Sequence, residues 1–535
     1  MEMLMTGLVR SNLVVATGTA VSRLTGLIRI VVFGIIVGQT SLADAFDSAN
    51  NSPNAIYELL IGGVLSASLV ALFAQFIERD DHQDDNEKSQ DAIFSVSLIA
   101  LVIITSLAVI CAPAIFGVFS LNPAQGIDVQ AFRSVGTSLT RIFVFQIFFY
   151  GLSALTSALL NARKLFFAAA WSPVLANVVT IGSFLLLPLT SAGNDLSIDT
   201  VRSDQTAMWV LGLGTTLGIA TMAITQVLVV RRHGFTFSFL PQFRHPAVVK
   251  LIQLSTWTLG YVAANQVALV VIKNLASPGS GGVDAYSKAF VLLQLPHGLL
   301  AVSIATTFVP DLARMFHRGD HIQFSSTMAR GIRLTAMLTF PASVGLFVLS
   351  KPLIGLLFKH GNFTDSAAIN TARALSGLAL GLAGFSVYLF VLRGFYARND
   401  TRTPFFINLV ENVLNIVFAV ALVDRFGVFG LGIAFSIAYI VSAFIALVVL
   451  ESTEVDIKMS ALAFSLLRIA SAAAVMGLVV WIVSNAIGSN AGIGSITRVI
   501  SATVIGAIVY AMALTALGDQ ELRSYLSSKM TRSSR

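Results

Sequence analysis

Long apolar stretches recur along almost the whole chain, separated by short polar breaks. A helix rises about 1.5 Å per residue, so roughly 20 apolar residues cross about 30 Å of hydrocarbon, and many of these stretches reach that length. Inside lipid each backbone N–H and C=O must be satisfied within its own segment, which leaves helices as the expected form. Composition agrees: 56% of the 535 residues are hydrophobic, 11% are charged, and mean hydropathy is +0.82. Those values exclude an ordinary soluble domain and specify an all-α integral membrane protein.

Apolar windows at 11–38, 44–77, 92–119, 134–161, 166–190, 206–230, 249–275, 284–313, 332–358, 368–396, 404–424, 428–450, 460–487 and 495–517 predict about fourteen transmembrane helices. Basic residues concentrate in alternate breaks, such as "NARKLF", "ARMFHRGDH" and "ARNDTRTP", so the positive-inside rule places both termini in the cytoplasm. The net charge of +7 is spread over these breaks, which suits a membrane surface and argues against nucleic acid. The acidic run 78–91 reads as a solvated loop, and "SPGSGG" near 280 as a flexible outer one. No cleavable signal peptide is expected at the start, and Cys111, the single cysteine, reads as a small buried packing residue.

The chain contains a duplication. "LADAFDSANNSPN" at 42–54 matches "GVDAYSKAFVLLQLPHG" at 282–298, placing Asp44 and Asp284 at an offset of 240. Arg163 precedes Asn177 by fourteen residues, as Arg398 precedes Asn412, at an offset of 235. Two pairs with nearly equal offsets predict two parallel six-helix repeats plus two extra C-terminal helices. The expected domains are lobes at 1–235 and 236–455, two added helices at 456–518, and a cytoplasmic tail at 519–535. Parallel repeats of this kind hold substrate between halves that rock against each other.

The first helix carries Arg23 and Arg29 well inside its apolar window. A central arginine costs about 2.5–3.5 kcal/mol on insertion, so such a group faces a wet cavity or a partner. Six residues along a helix leave the two side chains about 120° apart, too wide for one narrow seam. Asp44, Asp47, Asn50, Asn51, Asn54 and Glu58 in span 2, Lys273 in span 7, and Lys288 and Gln294 in span 8 add polar groups at equivalent places in the two copies. A substrate-facing aqueous cavity and internal ion pairing are the two readings, and arginine suits a phosphate-bearing anion because its fork donates paired hydrogen bonds.

Span 11 holds Asn408, Glu411, Asn412 and Asn415, spaced so that their oxygens share a helical sector. They form a candidate coupling-cation site, with polar helix packing as the alternative. Pro53, Pro296 and Pro341 are expected to interrupt their helices, and Thr403 to cap span 11 ahead of Pro404. Enzyme signatures are weak: the seven histidines show no HExxH spacing, and "LGLGTTLG" at 211–218 lies inside a span, where its glycines suit close helix packing. No catalytic residue, metal site or cofactor is assigned.

"SRLTGLIR", "ADAF" followed by "PN", "QLPHGLLAVSIATTFVPDLAR", "LLFKHGNFT" and above all "GFYARNDTRTP" resemble the MurJ (MviN-type) lipid II flippases, within the superfamily of multidrug, oligosaccharidyl-lipid and polysaccharide exporters. The resemblance implies a fourteen-helix transporter in the bacterial plasma membrane, acting in peptidoglycan biosynthesis. It would turn undecaprenyl-pyrophosphate-linked precursor from inner to outer leaflet by alternating access. By that likeness Ser22, Arg23 and Arg29 line the cavity and Asp44 sits toward an outer gate, and the polar groups Asn54, Glu58 and Lys288, read from their place in the spans, are further candidate cavity residues. The last two spans would flank a groove for the lipid tail. The driving force would be membrane potential or a monovalent cation gradient, and proteins of division or wall synthesis are expected partners. The chain departs from the family where Tyr57, Glu58 and Gly62 replace two arginines and a glutamate, where Ile30 replaces an acidic residue, and where Lys288 is the nearest cation to an arginine missing from span 8. An exporter of another polyprenyl-linked glycan or of an amphipathic drug is the alternative of the same class. A membrane scaffold or a polyprenyl-phosphate enzyme are the alternatives of a different class.

Overall fold

A computed structural model describes residues 2–58, 83–190, 195–235, 237–246, 248–249, 256–453, 455–488 and 492–518, with Phe73, Gly193 and Asn490. The described residues form helices and connecting turns, and no strand occurs among them. Among the described residues eleven helical stretches are long and apolar enough to cross a membrane, and the pair Asp365–Ala379 and Leu382–Ala397, bent by 46°, makes twelve when counted as one span. The windows 44–77 and 249–275 lie partly outside the described residues.

The helices divide between two compact units, Met1–Asp284 with Gly361–Phe363, and Ala285–His360 with Thr364–Arg535. In the first unit, α1 (Glu2–Val37) and α2 (Ser41–Tyr57) are followed by α3 (Gln83–Ile110), α4 (Ala112–Val118), α5 (Val129–Phe143), α6 (Phe145–Ala162), α7 (Phe166–Leu186), α8 (Ile198–Ser203), α9 (Gln205–Arg232) and α10 (Thr256–Leu275). Its core is aromatic where α1, α2, α5 and α7 meet: Phe33 lies 4.5 Å from Phe46, which is 5.2 Å from Phe143 and 5.8 Å from Phe184. Lipid is as apolar as leucine, so helices in it associate through close packing. Gly214 and Gly218 of α9 supply that packing against α7. A Cβ at Gly214 would fall 2.1 Å from Ser183, and one at Gly218 would fall 2.5 Å from Thr180.

The second unit contains α11 (Gly282–Pro296, entering it at Ala285), a π-helical turn at His297–Ala301, α12 (Val302–His317), α13 (His321–Phe358), α14 (Asp365–Ala379), α15 (Leu382–Ala397), α16 (Arg402–Phe426), α17 (Val428–Glu451), α18 (Met459–Ile487) and α19 (Gly492–Ala516). Helix α15 is enclosed almost all round, and Phe385, Phe435 and Tyr439 form an aromatic cluster beside it. The hairpin α18–α19 packs on α13 through Leu349, Met476, Val480 and Ala502, and the Tyr510 hydroxyl donates to the Met337 carbonyl at 2.7 Å.

The duplication has a conformational counterpart. Helix α6 is capped by Arg163 and the chain turns through Lys164 at φ 61°, while α15 is capped by Arg398 and turns through Asn399, also at φ 61°. Left-handed backbone is costly for residues other than glycine, so its recurrence at an offset of 235 marks the same turn built twice.

Several local expectations are corrected. Pro53 and Pro341 sit within continuous helices, whereas Pro296 is followed by the π turn. Proline removes a donor, and the ladder after Pro296 re-forms one residue wider, with the Val302 N–H reaching the His297 carbonyl. The cap of α16 is Asp400: its Oδ1 accepts from the N–H groups of Arg402 and Thr403, both at 3.0 Å, because the helix starts before Thr403 can serve as cap. The acidic run is helical from Gln83, its first residues lying outside the described ones. Cys111 is exposed at the junction of α3 and α4, where a lipid-facing surface gives a small apolar residue no reason to be buried.

Candidate functional site

In the first unit the polar residues fall into two groups along α1 and α2. Ser22, Arg23 and Arg29 are all half-buried on α1, a helix mostly left unburied by its neighbours. Asn177 of α7 fixes the height and rotation of this segment, because its Nδ2 donates to the Ser22 carbonyl at 3.1 Å and to Thr25 Oγ1 at 3.0 Å. Arg29 lies within electrostatic reach of Tyr150 on α6. Asn177 was visible in the sequence only as half of a repeated pair; its role as the residue that holds α1 depends on the helix contact.

Asp44 on α2 is fully buried and accepts three backbone hydrogen bonds. Its Oδ2 accepts from the N–H groups of Gly279 and Gly281, and its Oδ1 from that of Asp284, all at 2.8 Å. Asp284 is the third residue of α11, so a carboxylate from a distant segment caps that helix and meets the positive end of its dipole. The loop that delivers these donors is the one expected to be flexible, and that expectation is overturned. Gly279 and Gly281 adopt φ 97° and 83°, which turns successive N–H groups toward one point. A side chain at Gly281 would also meet Gln39 at 2.6 Å. Ser41 Oγ donates to the Gly279 carbonyl at 2.6 Å, and the Ala124 N–H to the Pro278 carbonyl at 2.8 Å, so both sides of the loop are tied.

One turn along α2, Asp47 Oδ2 accepts from Lys273 Nζ of α10 at 2.5 Å. Lys273 is buried, so here the pairing alternative describes the charge. Asn274 continues the attachment, its Oδ1 accepting from the Leu121 N–H at 2.6 Å and its Nδ2 donating to the Val118 carbonyl at 2.8 Å. Further along, Asn54 is half-buried and Glu58 is exposed, with Glu58 Oε2 accepting from Gln266 Nε2 at 2.5 Å. Thus α10 and the loop after it, which by sequence open the second copy, are bonded to α2 of the first at three levels.

The second unit holds the remaining candidates. Lys288 of α11 is buried. Asn408, Glu411, Asn412 and Asn415 are buried on one sector of α16, where Asn408 Nδ2 donates to Glu411 Oε2 at 3.5 Å and Asn412 Nδ2 to the Asn408 carbonyl at 2.9 Å. Tyr439 hydrogen-bonds to Glu411, and Tyr286 lies within its electrostatic reach. Glu411 Oε1 and Asn415 Oδ1 are buried oxygens with no hydrogen-bond partner among the described residues. Buried oxygens of residues on one helical sector are the donor type that a hard monovalent cation takes. No group of three or more His, Cys, Asp or Glu residues that could hold a metal occurs among the described residues.

The comparisons with known proteins agree with this architecture. The family described as "Lipid II flippase MurJ" matches residues 34–501. A protein of Haemophilus influenzae named "Probable lipid II flippase MurJ" is 29% identical over 520 residues, covering 94% of this chain and 98% of its own. Among solved structures, one titled "Lipid II flippase MurJ, inward closed conformation" superimposes with a TM-score of 0.74 at 23% identity, covering 94% of this chain and 98% of that one. An inward-facing multidrug resistance transporter of the MATE family shares the fold more distantly, with a TM-score of 0.62 at 15% identity over 81% of this chain and 99% of its own. A family match across most of the chain, on a multi-span helical scaffold, identifies a transporter: the chain belongs to the MurJ lipid II flippase family.

Proposed function

We propose that this protein carries lipid II from the inner to the outer leaflet of the bacterial plasma membrane by alternating access, with both termini in the cytoplasm. The observation that carries the reading is the placement of Arg23 and Arg29 on α1, a mostly unburied helix whose apolar length would otherwise reject them. A guanidinium in a low-dielectric wall binds a pyrophosphate through paired, charge-assisted hydrogen bonds, and two such groups about 120° apart embrace a large headgroup. Asn177 holds that arginine-bearing segment in place. Asp44 closes one end by gathering the N–H groups of 279–284, and releasing three hydrogen bonds together gives that closure an all-or-none character.

Membrane potential or a monovalent cation supplies the driving force in this reading, and Glu411 and Asn415, with Asn408 and Asn412 beside them, are the residues that would hold the cation. The test is leaflet exchange of labelled lipid II in vesicles containing the purified protein, run beside a polyprenyl-linked sugar that lacks the peptide. The expected result is exchange of lipid II that is lost in the double variant Arg23→Ala, Arg29→Ala. Equal exchange by the double variant would remove the arginines from the mechanism. Preference for the peptide-free lipid would assign another glycan as cargo.

A further inference from the structure

A cavity of about 270 Å³ lies within the second unit, between α12 and α15. The π turn shapes one end of it, where His297 Nδ1 lies 3.0 Å from Ser386 Oγ and the imidazole stacks 4.5 Å from Phe385. Its floor is buried: Ala301, Ser386 and Phe390 are enclosed, and Phe390 is locked from behind by Gly331 of α13, where a Cβ would come within 2.1 Å of the ring. Its mouth is exposed along Val302, Thr306 and Pro310, four residues apart on one face of α12, and ends at Arg393 of α15.

Arg393 is exposed, and no carboxylate lies within ion-pair distance of it among the described residues. It sits four residues before α15 ends at Ala397, or about 6 Å, ahead of a turn that begins at Arg398 and leads into Arg402, the first residue of α16. Ser386 lies about 10 Å deeper along the same helix. The slot therefore has a cation about one turn from the end of its helix and mostly apolar walls leading away from it. Its volume is below the roughly 300–1,000 Å³ of a complete small-molecule site, so it takes only part of a larger molecule.

We propose that this cavity is a binding site for a phosphate-bearing lipid, with the phosphate on Arg393 and the first apolar segment of the chain lying along Val302, Ala305 and Val309 toward His297. Guanidinium and phosphate match in charge and in donor geometry, and the apolar walls favour a lipid over a free ion. Neither Arg23 nor Arg29 lines this cavity, so lipid can be bound here whether or not the translocation reading holds.

The test is native mass spectrometry of the full-length protein in detergent, titrated with dioleoyl phosphatidic acid, dioleoylglycerol or inorganic phosphate. Arg393→Ala removes the cation, and Thr306→Trp fills the mouth while leaving Arg393 in place; both positions are exposed, so the fold is expected to survive. Phosphatidic acid is expected to bind wild type, and each variant at least tenfold more weakly, the scale of one lost charge-assisted contact. Equal affinity for wild type and both variants overturns the site. Dioleoylglycerol binding as tightly as phosphatidic acid overturns the role of Arg393, and inorganic phosphate competing at equal concentration overturns the assignment to a lipid. Leaflet exchange by Arg393→Ala is recorded in parallel: loss of binding with exchange retained separates this site from the transport cycle.

Discussion

Replacing Asp44 with alanine isolates the contribution of a single carboxylate to holding the 277–284 loop. Three backbone N–H groups, of Gly279, Gly281 and Asp284, lose their acceptor in a site with no solvent exposure. A buried donor left without its partner costs about 1–3 kcal/mol, and water entering the small space left by the carboxylate recovers part of that. A loss of about 3–6 kcal/mol for the three together is the expected scale, or roughly 10²- to 10⁴-fold in the opening equilibrium of the 277–284 segment. Amide hydrogen exchange on peptides covering 276–284 reads this directly, because local opening governs exchange. Peptides from α13, which share none of these bonds, serve as the internal reference. Asp44→Asn keeps one carbonyl oxygen but turns an amide toward N–H donors, so it should lie between wild type and alanine. Acceleration of less than about fivefold in Asp44→Ala would refute the reasoning, because the loop would then be held by Ser41 and Ala124 without the carboxylate.

Lys273→Ala and Asp47→Ala should each cost about 3–5 kcal/mol if the pair is effectively dry, and the double variant less than the sum, as a thermal-unfolding mutant cycle would show; strict additivity would mean that the charges do not interact. Gly214→Val should sharply reduce the yield of folded protein measured by size exclusion in detergent, because its Cβ falls 2.1 Å from Ser183 on α7; a normal profile would mean that α9 can shift. Asp400→Ala should lower stability by about 1 kcal/mol through loss of the α16 cap, whereas Thr403→Ala should leave the melting temperature nearly unchanged. Asn177→Ala should lower leaflet exchange while Arg23 and Arg29 remain present, since it frees the segment that carries them; full activity would separate the helix contact from function.

The sequence by itself determined the fold class, because hydrophobic length and the need to satisfy backbone groups in lipid leave little choice beyond helices of membrane-crossing size. It also pointed to a duplication, since a repeated pattern of Asp, Arg and Asn at nearly constant offset requires no knowledge of contacts, and it showed that Arg23 and Arg29 needed an explanation. Tertiary structure alone decided what the charges do. Asp44, Asp47 and Glu58 all read from sequence as polar intrusions in span 2, yet one binds three amides, one holds a buried ammonium, and one lies exposed beside an amide side chain. Their partners lie more than 200 residues away in sequence, and a local pattern carries no information about which distant donor will arrive. The glycine-rich loop shows the same limit from the other side. Glycine signals that unusual backbone angles are available, but whether they give mobility or a rigid nest depends on an anion to organise the N–H groups, and that anion is Asp44.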